Sequence, residues 1–176
     1  VNHVRGGDSN LHQGHAEETI VHLSLHSSRP GHIPLPALVL GLAGLLPYIF
    51  FAVLSFSGDP LTRGHALTTY LAYSASVLSF LGGLHWALGL EPDLSDGERW
   101  LRMSWAGLPP LIAWAAILAP WRIGIWMLMA MYAVQYAADV LLNHVDPDHY
   151  PAWFMRLRFG LTVVVLLTGL AVATRV

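Results

Sequence analysis

From Leu35 onward the chain alternates between long apolar runs and short polar breaks. The runs cover about residues 35–56, 65–90, 100–119, 121–143 and 153–173. A helix needs about 20 apolar residues to cross a hydrocarbon core about 30 Å thick, and each run has that length. The breaks carry turn-forming and charged residues: Ser57-Gly58-Asp59-Pro60, the acidic stretch from Glu91 to Glu98, and His144 to Pro151. Only Pro120 and its neighbours separate the third run from the fourth, which predicts a tight antiparallel hairpin. The pattern predicts an all-α integral membrane protein. A bundle of about five transmembrane helices occupies residues 35–176, and a polar, disordered tail occupies residues 1–34.

Composition strengthens this picture. Hydrophobic residues make up 55% of the 176, and charged residues only 11%, against about 25% charged in soluble domains. The chain lacks the polar residues that would coat a soluble protein of this size. The net charge of −2 is uninformative, and no basic tract points to a nucleic-acid partner. There is no cysteine, hence no disulfide, thiolate metal site or cysteine nucleophile. All nine basic residues are Arg, and the richness in Arg, Ala, Leu and Gly suggests a GC-rich bacterial genome. The expected location is a bacterial cytoplasmic (inner) membrane, with the mitochondrial inner membrane as the alternative. The tail holds six of the ten His but neither an apolar core nor an Arg-rich pattern, so it reads as neither signal nor transit peptide. The chain begins at Val1 and its first Met is Met103, so the tail also reads as sequence upstream of the true start. His15, His22 and His26 have a spacing that can bind a metal, yet no organised motif surrounds them, and no metal or other cofactor is expected. Arg5, Arg29, Arg99, Arg102, Arg156 and Arg158 flank one side of the membrane, and Arg63, Arg122 and Arg175 the other. Six against three places the N-terminus in the cytoplasm or matrix.

Candidate chemistry lies inside the runs. Tyr132, Gln135, Asp139 and Asn143 recur at spacings of three, four and four, which makes one polar stripe on the fourth helix, with Tyr136 beside it. Lipid offers such groups no partners, so the stripe must face other helices. An unpaired Asp139 would cost at least about 2.5–3.5 kcal/mol within the bilayer. Alternating helix direction brings Arg158 and Arg102 to its level, Arg158 being the first choice of partner. His85 shares a face with Gly82 and Gly89, where small residues let helices approach closely. It is therefore expected to point into the bundle, at the depth of Asp139, with Trp86 next to it. The cluster of interest is His85, Trp86, Arg102, Tyr132, Gln135, Tyr136, Asp139 and Arg158. Its plain reading is a structural clamp plus a histidine bonded to a neighbouring helix. Its functional readings are a proton relay or, with His144 as second ligand, a haem site. Gly41 and Gly44, like Gly82 and Gly89, are expected helix-packing positions. Pro47 is expected to kink the first helix, and Pro109-Pro110 to break the third near its middle. No nucleophile elbow, phosphate loop or dinucleotide fingerprint is present, so no enzyme is expected.

Several stretches resemble a known family. They are LGLAGLLPY at 40–48, LSFLGGLHWALGL at 78–90, Ser104 with Leu108-Pro109 and Ala113-Trp114, Gln135-Tyr136 with Asp139, and Pro151-Ala152-Trp153 with Leu157-Arg158 and Leu161-Thr162. Together they resemble the transmembrane protein 69 family, also called domain of unknown function 3429, over about residues 35–170. Where that family often has Pro-Ser, this chain has Pro109-Pro110. The resemblance implies a small multi-pass protein of bacterial or mitochondrial membranes and brings no activity with it. Three classes of function remain: a structural or accessory protein that binds other membrane proteins, lipids or its own copies; a small proton- or solute-coupled transporter using Asp139 and His85; and a redox carrier or enzyme. The first is the expectation.

Overall fold

The computed structural model describes residues 32–145 and 150–176. The expected tail lies almost wholly outside the described residues. Among the described residues six helices follow in order: α1 (Leu35–Ala43), α2 (Leu46–Leu54), α3 (Pro60–Leu88), α4 (Asp96–Leu118), α5 (Trp121–Val145) and α6 (Ala152–Ala173). There is no strand among the described residues. Helices α1 and α2 together make the first of five stretches long and apolar enough to cross a bilayer, and α3 to α6 make the other four. At most 39% of the most apolar window of any span is buried inside the bundle. The remainder, including Leu40, Phe50, Phe80, Trp114 and Leu167, is exposed apolar surface, which suits lipid and not water. This is an all-α, multi-pass membrane protein.

Helix starts are set by caps more than by hydropathy. The side chain of Asp59 accepts from the Thr62 amide at 2.8 Å, with Pro60 in the first helical position. Helix α3 therefore begins five residues before the apolar run. Ser95 and Glu98 form a reciprocal capping box, which starts α4 at Asp96 within the acidic loop and not at Trp100. The third and fourth spans meet at Ala119-Pro120, with Ala119 in the extended conformation that a following proline favours. This tight hairpin depends on Gly124, where a Cβ would come within 2.3 Å of the Ala116 carbonyl oxygen.

The prolines behave differently from one another. The first span is interrupted at Gly44-Leu45, one turn before Pro47, whose missing N–H frees the carbonyl four residues earlier. The Tyr73 hydroxyl donates to the Gly44 carbonyl at 2.9 Å beside this interruption. The expected break at Pro109-Pro110 does not occur, and α4 runs through both residues. Pro109 is buried against α3 at Gly82, where an added Cβ would lie 2.7 Å from the Ala106 oxygen and 3.1 Å from Cδ of Pro110. A neighbouring helix this close holds the proline-containing segment helical, as membrane bundles allow.

Helix α3 is central and packs on α2, α4 and α5, while α6 packs on α5, α2 and α1. The core between them holds Tyr48, Leu67, Tyr70, Leu78, Ile125, Leu128, Tyr132 and Val172.

Candidate functional site

At the end of the bundle where α3 and α5 finish and α4 and α6 begin, three helices each bring one polar side chain to a common point. Asp139 lies six residues before the end of α5, and Arg158 six residues after the start of α6. Both are therefore about 9 Å into their helices at 1.5 Å per residue, and the antiparallel packing of α5 and α6 sets them side by side. Arg158 Nε donates to Asp139 Oδ2 at 3.0 Å, and its Nη2 donates to the same oxygen. The other carboxylate oxygen, Oδ1, lies 2.9 Å from His85 Nε2 on α3. All three side chains are at most 9% exposed. An ionised carboxylate only accepts, so Nε2 carries a proton and donates to Oδ1. Asp139 and Arg158 carry opposite charges, and the histidine takes up the remaining oxygen. Such closure is what a low-dielectric interior requires of an ion pair.

Tyr150 stands in the field of this triad. Burial pushes its phenol well above the usual range, the Asp139 charge pushes it further, and Arg158 and Arg102 oppose. Arg102 itself donates to the Leu88 carbonyl at 3.4 Å and lies 3.7 Å from Glu91, at the end of α3. It is Arg158, the first expected partner, that holds Asp139.

Other expected members of the cluster lie elsewhere. Trp86 is 53% exposed and turned outward, because it follows His85 by one residue, about 100° around the helix. Tyr136 is half-buried and packs against Phe159 with ring centroids 5.9 Å apart. Tyr132 belongs to a second centre, nearer the middle of the span. Its hydroxyl donates to the Ser74 carbonyl at 2.7 Å, so Tyr48, 2.6 Å away, donates to Tyr132. Tyr70 and Tyr73 meet the Tyr48 ring edge-on, and Tyr70 reaches Thr168 at 3.1 Å. Sequence reasoning missed Tyr48, Tyr70, Ser74 and Thr168. The four-residue spacing of Tyr70 and Ser74, on the face that leads to His85, was the available signal.

Gln135 lies between the two centres and is fully buried, with neither amide atom bonded among the described residues. His144 is exposed at the end of α5, whereas His85 is buried against Asp139, so the two histidines do not form a facing pair. No group of three or more metal-ligating side chains occurs among the described residues. Of the expected packing glycines, Gly41 meets Leu161 of α6, Gly44 lies near Tyr73, Gly82 meets Ala106, and Gly89 meets Met103. Gly124 against Ala116 and Gly169 against Met129 are further close contacts.

Fold and site together define a class: a five-span membrane protein whose interior is tied by a buried His–Asp–Arg triad. The chain belongs to the family described as Protein of unknown function (DUF3429), whose model matches residues 33–174. It is 34% identical over 135 residues to Transmembrane protein 69 of Xenopus tropicalis, covering 74% of this chain and 51% of that protein. It is 30% identical over 138 residues to Transmembrane protein 69 of Mus musculus, covering 77% and 54%. The chain thus spans about half the length of these relatives. No solved structure matches it.

Proposed function

We propose that this protein is a structural or accessory component of its membrane, acting through its apolar outer surface on other membrane proteins, on lipids or on copies of itself. One observation carries this reading. The strongest charges inside the bundle are closed on one another, with both Asp139 oxygens engaged by His85 and Arg158, while the outer faces of all five spans are broadly apolar. An interior so tied serves to hold shape, which leaves the outside to carry recognition. Relatives from two vertebrates favour a mitochondrial inner membrane over a bacterial one, with the N-terminal side of the spans in the matrix.

The test is photocrosslinking in native membranes from Phe50 on the first span and Trp114 on the third, both strongly exposed. Discrete adducts to defined membrane proteins, to lipid or to a second copy are expected. A diffuse pattern from both positions would overturn the proposal. A second reading, a proton-coupled transporter, is favoured by the direct contact of a titratable His85 with a buried carboxylate. It predicts proton-dependent flux in liposomes that Asp139→Asn abolishes with the fold intact.

A further inference from the structure

Five buried side-chain atoms make no well-formed hydrogen bond among the described residues: Ser74 Oγ, which stands beside the Tyr48 and Tyr70 hydroxyls, Trp105 Nε1, Gln135 Oε1 and Nε2, and Asn143 Oδ1. Their placement is not scattered. Three of the five belong to the single α5 stripe of Tyr132, Gln135, Asp139 and Asn143. A fourth belongs to Ser74, whose carbonyl accepts from Tyr132 on that stripe. Gln135 is 0% exposed and Ser74 2% exposed. Asn143 lies one turn beyond Asp139 toward the loop end, and Gln135 one turn beyond it toward the middle.

Buried polar groups in folded proteins are almost always met, by protein or by bound water. The chemistry of the unmet groups selects the occupant. Gln135 presents an unmet acceptor and an unmet donor together, Ser74 a hydroxyl able to do either, and Asn143 an acceptor. A metal cation would satisfy the oxygens but not the Gln135 NH2 group. An anion would satisfy that group and a donating Ser74 hydroxyl but not the carbonyl oxygens of Gln135 and Asn143. The nearby Asp139 and Arg158 charges are already paired, so neither calls for an ion. Water, with two donors and two acceptors, meets every one of these groups and typically makes two to four bonds where it is buried.

We propose that a one-sided file of bound water enters the bundle at the loop end beside Asn143, passes the His85–Asp139–Arg158 triad, and ends between Gln135 and Ser74. There it joins the tyrosine centre of Tyr48, Tyr132 and Tyr70. The file stops because the next layers on that side are dry: Leu67, Ala116, Ile125 and Val172 are each at most 1% exposed. The site holds whether or not the protein works through its outer surface, since it concerns only the interior.

The test is microsecond X-ray hydroxyl-radical labelling of the whole protein in lipid nanodiscs prepared in H2(18)O, read residue by residue by mass spectrometry. Phe80 is the control, since it lies on α3 between Ser74 and His85 but is 68% exposed toward lipid. Tyr132 and Tyr48 are expected to take up (18)O several-fold faster than Phe80. In Gln135→Leu, which replaces the amide with an apolar group of similar size, uptake at both tyrosines should fall to the Phe80 level while Tyr150 is unchanged. Uptake at Tyr132 no faster than at Phe80 in the wild-type protein would show a dry interior and overturn the proposal. Unchanged uptake in a folded Gln135→Leu protein would overturn the assignment of the site to Gln135. If that variant does not fold, Ser74→Ala replaces it under the same criterion, and the wild-type comparison stands by itself.

Discussion

Asp139 is the residue on which the interior turns. It receives two donations from Arg158 on α6 and one from His85 on α3. Removing one member of a buried pair leaves an uncompensated charge, at a cost of about 3–5 kcal/mol. Asp139→Ala should therefore lower the thermal midpoint in detergent and the amount recovered from membranes. Adding Arg158→Met removes the orphaned guanidinium and should restore part of the loss. A thermal-unfolding cycle of wild type, both single variants and the double variant checks this. Additive losses would mean that the two residues are independent. The single histidine variant should be milder, because it leaves the Asp139–Arg158 ion pair in place.

At the level of helices, packing depends on a few positions where a backbone must come close. Gly82 and Gly83 are adjacent in α3, yet they face different surroundings. A Cβ at Gly82 would lie 2.7 Å from the Ala106 oxygen, whereas one at Gly83 would meet nothing within 4 Å. Gly82→Ala should destabilise by about 1–3 kcal/mol through overpacking. Gly83→Ala should be neutral or stabilising by about 0.5–1 kcal/mol, because alanine orders a helix interior at less entropic cost than glycine. Thermal unfolding of the two variants side by side decides whether α3 and α4 pack as described. The same contact explains why Pro109-Pro110 leaves α4 continuous. The proline pair sits where α3 presses against it, so the helix is held from outside as well as by its own hydrogen bonds.

For the molecule as a whole, five spans place the two ends of residues 35–176 on opposite sides of the membrane. On the proposed reading, the excess of Arg near the end where α3 and α5 finish and α4 and α6 begin would put that end in the cytoplasm or matrix. The triad, Tyr150 and the mouth beside Asn143 would then open toward the same compartment. Reporter fusions placed after Phe56 and after Ala173 should both read as translocated. A cytoplasmic or matrix signal after Ala173 would overturn either the orientation or the number of spans.

The number of spans and their approximate positions could be read from run length alone. A bilayer core offers no partner to backbone groups, so a sufficiently long apolar run has to be a helix whatever surrounds it. The pairing of Asp139 with Arg158 was also legible, since a short antiparallel turn brings those depths together almost by connectivity. Caps at Asp59 and Ser95 moved the starts of α3 and α4 into segments that hydropathy counts as loop. Helix rotation was a different matter. Only the tertiary structure decided that His85 completes the triad while Trp86 turns outward. The same holds for Tyr132 bonding to Tyr48 and Ser74 in place of Asp139, and for the continuity of α4 through Pro109-Pro110. The reason is physical. Apolar runs give a helix no strongly marked face, so its rotation is chosen by contacts such as Gly82 against Ala106 and Gly124 against Ala116, where carbonyl oxygens lie too close for a Cβ.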